Sequence, residues 1–187
     1  KLVTYDNLQH YKVLIIFRDG LRFPDGYNMS MYWNPRSQDE IVSDPPMEPI
    51  RMNGVAWMTE QQGKDIKRWV EEGGSLWAWH NNSQASLMNE DYHDVEGAVY
   101  AGHPPIRPFR VNITNPDHPI TKGINSFVVT DEQHYVRYDK DEKYVLARSM
   151  YEGDGPTYTD NFGTESPSCQ AAWAYDYGKG RVCFLAP

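Results

Sequence analysis

The clearest hydrophobic–polar pattern in the chain is a two-faced helix. Thr59-Glu-Gln-Gln62 forms a capping box, in which Thr59 accepts from the third helical amide and Gln62 reaches back. Ile66, Trp69 and Val70 mark one face beyond it, while Lys64, Asp65, Lys67, Arg68 and Glu71 mark the other. Gly73-Gly74 ends the helix, because glycine takes the left-handed position after the last turn without steric cost. Leu76-Trp-Ala-Trp79 follows as a buried strand and runs into His80-Asn81-Asn82-Ser83. Earlier, Val13-Leu-Ile-Ile-Phe17 is a continuous β-branched and aromatic run, the pattern of a strand buried on both faces. Strand, helix, Gly-Gly, strand predicts a crossover unit and with it a parallel sheet.

The pattern changes on both sides of this unit. Residues 21–53 form a Pro-rich insertion with five prolines, Pro24, Pro35, Pro45, Pro46 and Pro49. A stretch of that length is either functional or laid over a site, and its Tyr27, Met29, Met31, Tyr32 and Trp33 either pack down as a lid or line a ligand. In the second half, Phe109–Ile113 alternates like a half-buried strand, and Phe127–Thr130 and Tyr144–Met150 are further strands. Gln170–Tyr177 and Arg181–Leu185 flank Gly178-Lys179-Gly180 as a tight antiparallel hairpin. Glu152–Ser168, rich in Gly, Thr, Asp and Pro, reads as a loop.

Composition narrows the function more than the fold. The 187 residues carry six Trp, thirteen Tyr and six Phe, ample for a single core. No clean apolar run is longer than Val13–Phe17, far shorter than the roughly 20 residues of a bilayer span. Eighteen Lys and Arg stand against 26 Asp and Glu, a net charge of −8, with no basic cluster to hold phosphate backbones or anionic lipid. Neither nucleic acid nor a membrane is therefore expected as a partner. Cys169 and Cys183 lack the C-x-x-C spacing of metal or redox sites and read as small buried thiols.

Candidate chemistry gathers around histidines at strand ends. In open α/β sheets, ligands bind beyond the carboxyl ends of the strands, where His80-Asn81-Asn82 lies. His80 suits a metal ligand, a general base or an electrophile. Asp131-Glu132-Gln133-His134-Tyr135 follows another strand and brings carboxylates and an imidazole to one loop. A carboxylate near one or two histidines is what acid–base work or a three-ligand metal site requires. His103, between Gly102 and Pro104-Pro105, is a weaker candidate, and His118 reads as turn chemistry. No G-x-G-x-x-G, Walker-type loop or G-x-S-x-G elbow is present, so no nucleotide cofactor is expected.

Several segments in sequence resemble the trehalose-utilisation (ThuA-like) family. They are Met58-Thr-Glu-Gln-Gln62, Trp69-Val-Glu-Glu-Gly-Gly74, Leu76–His80, Gly102-His103-Pro104, His118-Pro-Ile-Thr-Lys-Gly123, Asp131-Glu132 and Trp173-x-x-x-Tyr177-Gly-Lys-Gly-Arg-Val182. The resemblance runs from about residue 55 to 187 and implies a single α/β domain over residues 1–187. It further implies a flavodoxin-like, class I glutamine amidotransferase-like three-layer sandwich with a mostly parallel sheet. The superfamily places a cysteine nucleophile after its central strand, whereas this chain offers His80-Asn81, so cysteine-dependent amidotransferase chemistry is not expected. Against the family pattern, a strand, helix and strand ahead of Val13 and a final helix after the hairpin are missing. A fragment of a longer domain is therefore expected.

By motif match, His80, His103 and Glu132 are the expected catalytic positions. A divalent metal, zinc, manganese or iron, falls to His80, His103, Glu132 and His134, and substrate contact to Asn81, Asn82, Tyr32, Trp33 and Tyr135. The leading reading is a metal-assisted enzyme acting on a disaccharide or keto-sugar derivative by isomerase, lyase or hydrolytic chemistry. Its alternative is a non-catalytic carbohydrate-binding or interaction module on the same fold. The expected partners are a small carbohydrate and either a second copy of the chain or other domains of a longer one.

Overall fold

The computed structural model describes residues 2–22 and 54–187, in two compact units, Lys1–Gly20 with Met58–Pro187, and Leu21–Trp57. In chain order the elements begin with helix α1 (Tyr5–Leu8) and strand β1 (Val13–Ile16). Strands β2 (Leu21–Arg22) and β3 (Val55–Ala56) pair antiparallel within the smaller unit. The larger unit resumes with α2 (Glu60–Glu71), β4 (Ser75–Trp79), α3 (Ser83–Ser86), α4 (Glu90–Glu96) and β5 (Ala98–Gly102). It continues through β6 (Arg107–Ile113), β7 (Phe127–Asp131), β8 (Tyr135–Tyr138) and β9 (Val145–Met150). Short strands β10 (Tyr158–Thr159) and β11 (Glu165–Ser166) precede the closing pair β12 (Ser168–Tyr177) and β13 (Gly180–Leu185).

Seven strands form one mixed sheet in the order β1-β4-β13-β12-β9-β6-β7. The parallel expectation holds for β1, β4 and β13; the other four strands join antiparallel. The reason lies in the connections. A parallel neighbour needs a crossover, which α2 supplies between β1 and β4, whereas β6, β7, β9, β12 and β13 follow one another without an intervening α-helix. A second ribbon, β5 paired antiparallel with β8, stands apart from the main sheet and was not foreseen.

Helix α2 forms as the sequence dictates. Gln62 N donates to Thr59 Oγ1 at 3.2 Å, and Thr59 N donates to Gln62 Oε1 at 2.9 Å. At the other end Gly73 N reaches Val70 O at 3.0 Å and Gly74 N reaches Trp69 O at 2.9 Å, the paired bonds of a Schellman stop. The β12–β13 hairpin docks against this stop: Lys179 N donates to Glu71 O at 2.8 Å. A Cβ at Gly180 would overlap the Val70 and Gly74 carbonyl oxygens, so only glycine allows that approach.

The two faces of the parallel strands differ. Leu76, Ala78, Val182 and Phe184 are buried on the side of α2 and α4, with Ile66, Trp69, Val70 and Val95. Trp173 stacks on Phe184 with ring centroids 4.1 Å apart and donates from Nε1 to Glu96 O at 2.9 Å. On the other face Val13, Ile15 and Phe17 are 49, 43 and 66% exposed, which corrects the reading of this run as a strand buried on both sides. Phe17 lies 6.1 Å from Trp77 and 5.3 Å from Trp79, ring to ring, and a groove of about 790 Å³ runs past Val13, Trp77, Ile120, Tyr144, Cys183 and Leu185. A continuous apolar run cannot distinguish a strand covered on both faces from one covered on one. No described helix is long and apolar enough to cross a membrane.

Candidate functional site

His80, His103, Glu132 and His134 come together from three parts of the chain. His80 follows the carboxyl end of β4, His103 follows β5, and Glu132 and His134 occupy the link between β7 and β8. The three imidazole Nε2 atoms all approach the Glu132 carboxylate: 3.4 Å from His80, 3.8 Å from His103 and 3.2 Å from His134. The rings of His80 and His134 stack at 3.9 Å, and those of His103 and His134 lie parallel at 5.2 Å. His134 is the floor, its side chain 1% exposed, while His80, Glu132 and His103 form a rim at 27, 25 and 18%.

Each rim histidine is held by its other nitrogen. His80 Nδ1 sits 2.5 Å from Ala186 O, and His103 Nδ1 sits 2.8 Å from Pro104 O. A carbonyl oxygen only accepts, so in both rings Nδ1 carries a hydrogen. In the neutral form each Nε2 therefore presents a lone pair toward Glu132, the arrangement that carbonyl tethers impose on metal-binding histidines. The Ala186 tether follows from the sheet: Leu185 is paired with Trp79, so the residues just beyond β13 and β4 are neighbours. His80 itself adopts φ +52°, a left-handed conformation that costs a non-glycine residue energy and is found where surrounding structure enforces it.

The electrostatics favour an ionised carboxylate beside a neutral imidazole. Burial pushes the His134 pKa down to about 4, with the neighbouring His80 adding to the effect and Glu132 only partly opposing it. For Glu132 burial acts upward, but the His134 hydrogen bond and the nearby His103, His134 and His80 prevail and lower its pKa. His80, Glu132 and His134 each offer a ligand atom, all within 4.8 Å of one another. The 3.4 and 3.2 Å separations of His80 and His134 from one Glu132 oxygen lie near the ~3.4 Å edge of a tetrahedron with bonds near 2.1 Å, whereas His103 stands 3.8 Å from the other oxygen and outside this three-residue group. The donor set of imidazole nitrogens and a carboxylate suits zinc, manganese or iron.

The expected substrate contacts fare differently. Asn81 is half-buried beside His80, and its Oδ1 has no hydrogen-bond partner among the described residues. Asn82 is corrected to a structural role: it is fully buried, donates to Arg18 O at 2.7 Å and accepts from the Tyr92 hydroxyl. Tyr135 is corrected likewise, being 3% exposed, with its hydroxyl donated to Ser166 O at 2.8 Å and its ring against Tyr158. Tyr32 and Trp33 lie outside the described residues. His118 closes a turn, accepting from Ile120 N at Nδ1 and from Lys122 N at its carbonyl. Both cysteines are free, and burial raises each thiol pKa to about 11, far from an activated nucleophile.

Some supporting groups left little or no sequence signal. The Ala186 and Pro104 tethers are backbone carbonyls, which every residue type carries, so the sequence does not mark them. The hairpin β10–β11, read as loop, closes on the His103 segment: Asn161 N donates to Ala101 O at 2.8 Å. A Cβ at Gly102, where φ is +111°, would overlap the Tyr158 hydroxyl.

Comparison with known proteins agrees with the fold. The family model described as ThuA, trehalose utilisation, matches residues 31–187. A ThuA-like protein from Bacteroides uniformis superposes with TM-score 0.59 at 15% identity over 98% of this chain and 62% of its own. A cytoplasmic protein from Salmonella typhimurium LT2 gives 0.57 at 15% over 99% and 66%, and a ThuA-like protein from Parabacteroides merdae gives 0.54 at 16% over 72% and 56%. This chain thus spans about three-fifths of the length of the ThuA-like relatives it matches. No curated protein matches it. The chain belongs to the trehalose-utilisation (ThuA) family.

Proposed function

We propose that the protein is a carbohydrate-utilisation enzyme in which His80, His103, Glu132 and His134 hold a divalent metal beside a disaccharide or keto-sugar derivative. The observation that carries this reading is the convergence of three imidazole Nε2 atoms on one carboxylate, two of them with Nδ1 tied to carbonyls. Without a cation, neutral His80 and His103 face Glu132 acceptor against acceptor; a divalent ion turns that conflict into coordination. When bound, the metal supplies polarisation of a carbonyl or hydroxyl oxygen.

The chain's own residues then do the rest. His134, on the floor, stays neutral and fixes the inner side of the site, while the partly exposed rim faces incoming substrate. Glu132 is ionised and placed to hold or move a proton of a sugar hydroxyl. Isomerase, lyase and hydrolytic reactions on a keto-sugar all use these functions. The flavodoxin-like layering belongs to the same reading: a second helical layer would cover the open face that carries Val13, Ile15 and Phe17.

The test is turnover of a panel of disaccharides and keto-sugars by the wild type, His80→Ala and Glu132→Ala. The reading expects metal-dependent turnover that falls about 100-fold or more in each variant. Full activity in both would contradict it. Sugar binding without turnover by any variant would favour a non-catalytic carbohydrate-binding module.

A further inference from the structure

Between the two site residues Glu132 and His134 lies a side chain that never reaches the site. Gln133 is fully buried. Its Oε1 accepts from Arg107 Nη2 at 2.8 Å, and its Nε2 donates to Ser149 Oγ at 3.1 Å and to Pro167 O at 3.0 Å. Both amide hydrogens are therefore used, and the orientation is unambiguous, since a flipped amide would set NH₂ against a guanidinium and oxygen against a carbonyl. Arg107 is itself fixed, with its guanidinium 3.6 Å above the Tyr151 ring centroid and Nη1 3.3 Å from Pro156 O.

The partners of this amide come from separate places. Arg107 opens β6, Ser149 lies in β9, and Pro167 sits between β11 and β12. The link from Glu132 to His134 is neither helix nor strand, so no ladder of backbone hydrogen bonds sets its course. An amide matches these three partners, a guanidinium, a hydroxyl and a carbonyl, and leaves none of these groups unpaired. What a satisfied buried network supplies is one defined geometry. We propose that Gln133, locked by Arg107, Ser149 and Pro167, is the positioning residue that holds Glu132 and His134 on the metal side of the β7–β8 link. This rests on the metal-site reading above.

The experiment is a cobalt(II) titration of wild type and Gln133→Leu, following affinity and the visible absorption that reports ligand geometry. Thermal melts establish that the variant is folded. The expected result is a folded variant that binds cobalt about tenfold or more weakly, with an altered spectrum. A folded variant with wild-type affinity and spectrum overturns the proposal and leaves the metal reading intact. If the wild type binds no cobalt, the metal reading falls, and metal-free protein decides the positioning role. There, long-range imidazole ¹H–¹⁵N spectra of Gln133→Leu must show His134 displaced and His118 unchanged; an unmoved His134 overturns it. Should Gln133→Leu fail to fold, Ser149→Ala and Arg107→Met each remove one of the amide's bonds and take its place. Each is expected to weaken cobalt binding about threefold, and unchanged binding in both rejects the role.

Discussion

Two regions deliver the four site residues, and they differ in what holds the Glu132–His134 link and what holds His80. On the strand side, His80 is carried by the regular frame of β4 and β13, with backbone doing the positioning through φ +52° and the Ala186 carbonyl. On the ribbon side, His103 follows β5 with a backbone tether of its own to the Pro104 carbonyl, while Glu132 and His134 hang from the β7–β8 link, where the Gln133 side chain does the positioning. The first kind of support is written in hydrophobic periodicity and glycines. The second is written in buried polar groups whose partners are distant in sequence. Substitutions should therefore injure the two sides differently: the strand side loses stability, and the ribbon side loses its grip on a ligand.

The largest expected effect breaks the strand side. Gly180→Ala forces a Cβ onto two backbone carbonyls at the end of α2, neither of which can swing aside. A loss of about 3 kcal/mol is expected from denaturant unfolding, with residual metal affinity in the folded fraction little changed. A loss below about 0.5 kcal/mol would show that the hairpin does not dock there as described.

Next comes a pH effect on the same side. Glu96 is fully buried, bonded to the Ser86 hydroxyl, and burial pushes its pKa up to about 8. The folded protein thus keeps a proton that the unfolded chain releases near pH 4.3. This contribution to stability is fully present below that value and is lost as pH rises from there to about 8, a change on the order of a few kcal/mol. Glu96→Gln should flatten that part of the stability profile, and an unchanged slope would remove Glu96 as its source.

Gly102→Ala tests the ribbon side. It places a Cβ at φ +111° against the Tyr158 hydroxyl and Asn161, one residue before His103. A destabilisation of about 2 kcal/mol is expected, together with roughly tenfold weaker cobalt binding. Equal loss of stability with no change in binding would mean that the His103 segment is not tightly coupled to the site.

The smallest effect sharpens the comparison at His80. Both His80→Gly and His80→Ala remove the imidazole, but only glycine accepts φ +52° freely, so Gly should be about 1 kcal/mol more stable than Ala. Equal melting temperatures would argue against the strained backbone.

The same division explains what the sequence disclosed. The capping box at Thr59, the Gly73-Gly74 stop, the strand before His80 and the Gly178-Lys179 turn are local signals, and the structure contains each of them. His80, His103, Glu132 and His134 were legible as chemically apt residues near strand ends, and the fold brings them together. The β5–β8 ribbon was not legible, because Tyr135–Tyr138 follows the site loop with no clear alternation or turn signal of its own. Asn82 and Tyr135 misled for a different reason: their polar groups satisfy partners inside the fold, and composition cannot show which way a side chain points. The Val13 run misled because burial on the second face depends on what covers the sheet, not on the strand.

The central claim is that His80, His103, Glu132 and His134 form a metal centre. The direct measurement is the metal content of freshly purified wild type beside Glu132→Ala, by elemental analysis. The expected result is near-stoichiometric zinc, manganese or iron in the wild type and its loss in the variant, because Glu132 is the one group that all three imidazoles face. A metal-free wild type that also takes up none of the three when they are supplied, or equal metal in both proteins, would contradict the claim.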